Sequence, residues 1–151
     1  MACALWACME LIAPEIESSF YNYMLRLHQH HEDLCWRLLD ALAKRLPSAR
    51  RTWSELDESL RAHMEAEERY VLPAFARVDR EEALALIREH GAIREQLLEI
   101  GVAIDLHELG ETERFIETLR KHAAREDKLM YRWAADEYDQ RTRNACAGAR
   151  K

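Results

Sequence analysis

Apolar residues recur at steps of three and four along most of the chain, the spacing of helices that each bury one face. A first seam passes through Ile16, Phe20, Tyr23, Leu27, His31, Leu34, Leu38 and Ala41. Pro14 suits its first helical position, and Pro47 with Ser48 opens a loop after Leu46. A second seam holds Leu56, Leu60, His63, Glu67, Tyr70 and Ala74. Thr52 and Glu55 have capping-box spacing at its start, and Pro73 should kink or end it. Asp79 and Glu82 repeat that spacing before a third face of Ala83, Ile87, His90, Arg94, Leu97 and Gly101. Leu98 to Leu106 also alternates as a short strand would, but a lone strand has no partner, so helix is expected there. The fourth seam, with Thr112 as cap, runs Phe115, Leu119, His122, Glu126, Leu129 and Trp133.

Four such helices joined by short loops predict an all-α fold, an antiparallel up-down four-helix bundle over residues 14–139. An apolar extension (1–13) precedes it and a polar tail (140–151) follows. Composition agrees: 33% of the 151 residues are charged and there are four Gly and three Pro, a balance that favours helices over a sandwich or barrel.

Each seam carries a polar residue where an apolar one belongs. That is costly unless something satisfies it. His31 is followed by His63 32 residues on and by Glu67 four residues later. His90 is followed by His122 and Glu126 at the same spacings, and each member of the first set maps onto the second by adding 59. Residues four apart stack on one helix face, so each HxxxE step can grip a metal from one helix. Imidazole with carboxylate suits iron, with manganese and zinc compatible. The repeat therefore predicts a metal site in the core, built from two half-sites.

His28 lies partly inward and competes with His31 for the first-helix position, whereas His30 and His107 fall outside the pattern. Glu68 and Asp127 also match across the repeat, as solvated side chains or as acceptors behind the ligands, and Asp127 rivals Glu126. Tyr70, one turn from Glu67, is a candidate donor to a bound oxygen species or a packed aromatic.

The net charge of −6 argues against nucleic acid as a partner, and no apolar run approaches the ~20 residues of a membrane span. The apolar start lacks preceding basic residues, so the chain is expected to be unprocessed and cytoplasmic. Cys3, Cys8, Cys35 and Cys146 form no CxxC pair. The start around Leu5 and Trp6 is expected to cover a bundle surface or a partner chain, as in a homodimer, because Leu98, Ile100, Val102, Ile104 and Leu106 offer too much apolar surface for one seam.

HMEAEERYVLP (63–73), REHGAI (88–93), KHAAREDKLMY (121–131) and LHQHHEDL (27–34) together resemble the hemerythrin-like, or HHE cation-binding, family over roughly residues 20–135. The resemblance implies a four-helix bundle with a non-haem di-iron centre. Glu67 and Glu126 would bridge two Fe ions, with an oxo or hydroxo group, and His31, His63, His90 and His122 would be terminal ligands. Oxygen carriers of the family have a further histidine where this chain has Arg94, so the pattern is similar to the bacterial H–HxxxE–H–HxxxE branch. An arginine stays protonated and cannot ligate. Arg94 is instead expected to pair with Glu68, Asp127 or a bound peroxide, or else to point past the site to solvent. The resemblance thus implies either a peroxide-consuming, catalase- or peroxidase-like oxidoreductase, or reversible binding or sensing of oxygen, nitric oxide or iron.

Overall fold

The computed structural model describes residues 14–137, with side chains from residue 22 onward; the apolar start, the cysteines at 3, 8 and 146 and the polar tail lie outside the described residues. Helices α1 (Pro14–Ala43), α2 (Ser48–Tyr70), α4 (Arg80–Asp105) and α5 (Leu109–Glu126) form the bundle, and α3 (Leu72–Phe75) is a single turn between α2 and α4. In the described residues there is no strand, so the stretch to Leu106 is helical as far as Asp105. Around the bundle α1 packs on α2 and α5, and α4 packs on the same two helices.

Pro73 acts as expected: α2 ends at Tyr70, and the chain restarts as the short α3 with the proline in its first turn. Asp79 caps α4, its carboxylate accepting from the Glu82 backbone N–H at 2.9 Å. Two expected caps fail. Helix α2 begins one turn earlier than Thr52, directly after Pro47, whose φ of −66° is already helical. Helix α5 begins at Leu109, and Thr112 lies inside it, buried, donating to the Glu108 carbonyl at 3.1 Å. Both starts follow a helix end closed by a residue in the left-handed region, Arg45 (φ 53°) and His107 (φ 58°). Leu46 N–H donates to Ala41 O at 2.8 Å and Glu108 N–H to Ala103 O at 2.9 Å, the six-residue closure of a Schellman turn. These closures turn the chain so early that the downstream helices start before their threonines.

The buried face of α4 is Ala83, Leu86, His90, Ile93, Leu97 and Ile100, so Ile87 and Arg94 sit at its edge and not in the seam. Its outer face leaves Leu98, Val102 and Leu106 exposed. After Glu126 the chain continues as a π-helical turn, Asp127–Tyr131, and then as helix over 132–137. That turn buries Met130 and Tyr131 and leaves Leu129, a residue of the expected seam, only partly buried. Trp133 is half-buried against Phe75.

Two apolar cores result. One, around Leu34, Leu38, Leu56, Leu97 and Ile116, fills the end near the α1–α2 and α4–α5 turns. The other, around Met24, Leu72, Phe75, Leu86 and Met130, fills the opposite end. The inward histidines and glutamates of all four helices form a polar layer between them.

Candidate metal centre

Four imidazoles converge through their Nε2 atoms: His28 from α1, His63 from α2, His90 from α4 and His122 from α5. His28 and His63 stand together, Nε2 to Nε2, at 2.9 Å. The His90 and His122 rings lie 4.9 Å apart, edge to face. Glu67 and Glu126 are fully buried between the two pairs. Glu67 turns Oε1 toward His63 (3.5 Å) and Oε2 toward His90 (3.4 Å). Glu126 turns Oε2 toward His28 (3.2 Å) and Oε1 toward His90 (3.1 Å) and His122 (2.9 Å). Each carboxylate therefore gives one oxygen to each histidine pair. His28, His63, Glu67 and Glu126 form one group able to hold a cation, and His90, His122 and Glu126 another.

Three of the four rings are fixed from behind by a carboxylate on Nδ1. His28 donates to Asp127 (3.0 Å), His90 to Glu68 (2.9 Å) and His122 to Glu89 (2.8 Å). An acceptor on Nδ1 places the hydrogen there and leaves Nε2 free to face the centre. Two of these carboxylates are held in turn by arginines: Arg94 donates to Glu68 at 2.8 Å, and Arg125 donates to Glu89. Of the partners expected for Arg94, Glu68 is the one it takes.

The charges of the metal-free site follow from this crowding. Burial acts to lower His28, but Asp127 and Glu126 overcome it and raise its pKa to about 9. His90 is raised to about 10, where burial is outweighed by Glu126 and Glu67. His63 is held well below the ordinary imidazole value by burial. Glu67 rises to about 7 through burial and the neighbouring Glu126 charge. Glu126 stays well below the usual carboxylate range because the imidazoles of His122, His28 and His90 beside it outweigh its burial.

The residues fit cations. Five buried side-chain polar atoms among the described residues lack a hydrogen-bond partner, and three of them face this centre: Glu67 Oε2, His122 Nε2 and Glu126 Oε2. Glu126 Oε1 takes a hydrogen bond from His90 Nε2, but Glu67 Oε2, Glu126 Oε2 and His122 Nε2 have none, so these atoms face a common space without satisfying one another. Buried lone pairs left in this way are costly, and a cation satisfies several at once.

Compared with the sequence expectation, His63, Glu67, His90, His122 and Glu126 come together, while His31 stands aside. Its Nε2 shares a 2.8 Å hydrogen bond with Ser59 Oγ, and its ring meets His63 at 5.2 Å. Burial and the nearby His28 and His30 charges lower its pKa to about 4. His28 occupies the inner position on α1. Tyr70 is 55% exposed, and the tyrosine at the site is Tyr131, buried, donating to Glu67 Oε1. Tyr131 was missing from the candidate residues, and its only sequence signal is an aromatic five residues beyond Glu126. Asp127 lies behind His28 and not among the inward-facing carboxylates.

The family model of the hemerythrin HHE cation-binding domain matches residues 19–134, and the chain belongs to that family. No curated protein and no solved structure matches it. No helix among the described residues is long and apolar enough to cross a membrane.

Proposed function

We propose that the protein binds two iron ions in this layer and uses them to react with a small oxidant, peroxide above all. One ion would take His28 and His63, the other His90 and His122, with Glu67 and Glu126 shared between them. The observation that carries this reading is the division of each carboxylate, one oxygen toward each histidine pair. Paired metal ions of this kind supply Lewis acidity and electrons for oxidant chemistry.

The chain's own groups do the rest. Asp127, Glu68 and Glu89 lock three imidazoles into the tautomer that presents Nε2. Tyr131 holds Glu67 by one oxygen and keeps a hydroxyl proton beside the centre. The apolar cores above and below exclude bulk water and lower the local dielectric, which strengthens each of these interactions. Arg94 is committed to Glu68 and cannot ligate, and His90 is the one histidine of α4. Fewer protein ligands leave room for exchange, which favours turnover over storage.

A second reading, reversible binding or sensing of oxygen or nitric oxide, draws support from a cavity of about 50 Å³ beside the site, with Leu60, Met64, Ile93 and Leu119 in its lining. Elemental analysis of iron-loaded protein, followed by peroxide-consumption assays, tests both readings. Two irons per chain with peroxide consumption that is lost in Glu67→Ala supports the first. Two irons with no consumption and reversible oxygen binding supports the second, and a chain that takes up no iron sinks both.

A further inference from the structure

The cavity beside the metal centre is bordered by a charged pair that belongs to neither histidine group. His28, His63 and Glu126 of the centre line it together with Cys35, Leu60 and Met64. Cys35 is buried. Glu32 on α1 and Arg120 on α5 also line the cavity, and both are partly exposed, at 39% and 35% of the side chain. They pair across the seam between the two helices. Arg120 Nε donates to both carboxylate oxygens of Glu32 (3.2 and 3.0 Å) and Nη2 donates to Oε1 (2.6 Å). The guanidinium lies 5.3 Å from the ring of Trp36, an exposed residue one turn along α1.

We propose that the Glu32–Arg120 pair is the gate of this cavity, the point at which a small uncharged molecule passes between solvent and the buried layer. The cavity of about 50 Å³ exceeds the ~10–15 Å³ that one water needs, so it holds a molecule of a few atoms. Its apolar walls favour an uncharged guest such as hydrogen peroxide or a diatomic gas. The two gate side chains are long and half in water, so they can swing outward and rehydrate without disturbing either helix. Breaking a pair of that exposure is inexpensive, which makes opening frequent. That the passage serves the metal centre rests on the function proposed above; the passage itself is a property of the metal-free chain.

Cys35 makes that passage measurable without metal. Its thiol lines the cavity yet is buried, so its alkylation by iodoacetamide, a small neutral reagent, reports how readily solvent-borne molecules pass the pair. The rate is read on the Cys35 peptide by mass spectrometry in metal-free protein. Burial holds this thiol at about 12, with Glu32 raising it and Arg120 lowering it. Electrostatics alone therefore predicts slower alkylation in Arg120→Ala, because less thiolate forms. The gate predicts the opposite sign, an acceleration of about fivefold, the factor corresponding to loss of one partly exposed ion pair. Glu32→Gln should also accelerate, and the double variant should be no faster than the faster single one, since the pair is already broken. Arg61→Ala removes a similarly exposed pair with Asp57 and should leave the rate unchanged. An unchanged or slower rate in Arg120→Ala, or an equal acceleration in Arg61→Ala, overturns the gate. Iron uptake is measured separately, so a protein that binds no iron refutes the proposed function while the alkylation result stands on its own.

Discussion

Tyr131 and Glu67 lie on different helical segments, 64 positions apart in sequence, and meet through one hydrogen bond at the centre of the bundle. The phenol owes its place to the π-helical turn Asp127–Tyr131, which follows directly on Glu126. Such turns often mark functional sites. In Tyr131→Phe the buried Glu67 loses its donor. Unfolding of the metal-free protein by urea should show a loss of about 1–3 kcal/mol, the cost of an orphaned buried acceptor. An unchanged midpoint would mean that Glu67 is satisfied elsewhere.

The inner position of His28 gives a sharp comparison. His28→Ala should lower the iron content of the protein toward half, because it strips one imidazole from the His28–His63 pair. His31→Ala, which breaks the bond to Ser59, should leave the content unchanged. Metal analysis of both variants decides the matter, and loss confined to the His31 variant would restore the order expected from the 59-residue offset.

Metal uptake should strengthen with pH. A cation needs unprotonated Nε2 atoms, yet His28 and His90 are raised to about 9 and 10 in the metal-free protein. Binding therefore displaces protons, and affinity measured against a chelator should rise steadily between pH 6 and pH 9. The metal-free fold shows the opposite trend. Groups raised above the unfolded value near 6.5 contribute stability in full below that pH and lose it as pH climbs through 9 and 10. Denaturation midpoints should therefore fall between pH 7.5 and pH 10; a flat profile would contradict the assigned shifts.

Glu68 accepts from His90 on one side and from Arg94 on the other. Glu68→Ala should weaken metal binding by roughly ten- to a hundredfold, as loss of a carboxylate behind a ligating imidazole does elsewhere. Glu65→Ala, on the exposed face with Arg69, serves as the control and should change nothing. Titration with Fe(II) under anaerobic conditions measures both.

His107 closes α4 in the left-handed region, where a side chain is strained. His107→Gly should relieve that strain and stabilise the protein by about 1 kcal/mol, seen as a higher melting temperature. A lower one would show that the imidazole contributes more than its backbone costs.

Much of this architecture can be read from the sequence. The 3.6-residue spacing identifies four helices, and Pro73 and Asp79 mark real boundaries. HxxxE on α2 and α5 brings His63, Glu67, His122 and Glu126 inward as expected, 59 residues apart. The same offset fails on α1 and α4. There the matched positions lie 62 apart, both for the inner histidines, His28 and His90, and for the turn residues, Arg45 and His107. The descending arm of the second hairpin is three residues shorter than that of the first. An offset taken from one pair of arms therefore misplaces the other by nearly one helical turn. His28 and His31 also share a face, so helical periodicity cannot separate them. Tyr131 escaped notice for a different reason: a π-helical turn breaks the α-helical period, and positions beyond it cannot be projected from positions before it.

The carboxylates behind the histidines also form a circuit. Glu68 ties α2 to α4, Glu89 ties α4 to α5, and Asp127 ties the end of α5 to α1. On the remaining side His31 and Ser59 join α1 to α2. Every neighbouring pair of helices is thus stitched at the level of the site. Apolar cores tolerate sliding, since one leucine packs much like the next. A stitched layer does not, because a helix displaced by a single turn forfeits its links to both neighbours and leaves their polar groups unpaired. The polar layer therefore serves as a vernier for the whole fold. Only a bundle in correct alignment assembles it, and the ability to bind metal becomes a check that the four helices have met in the right register.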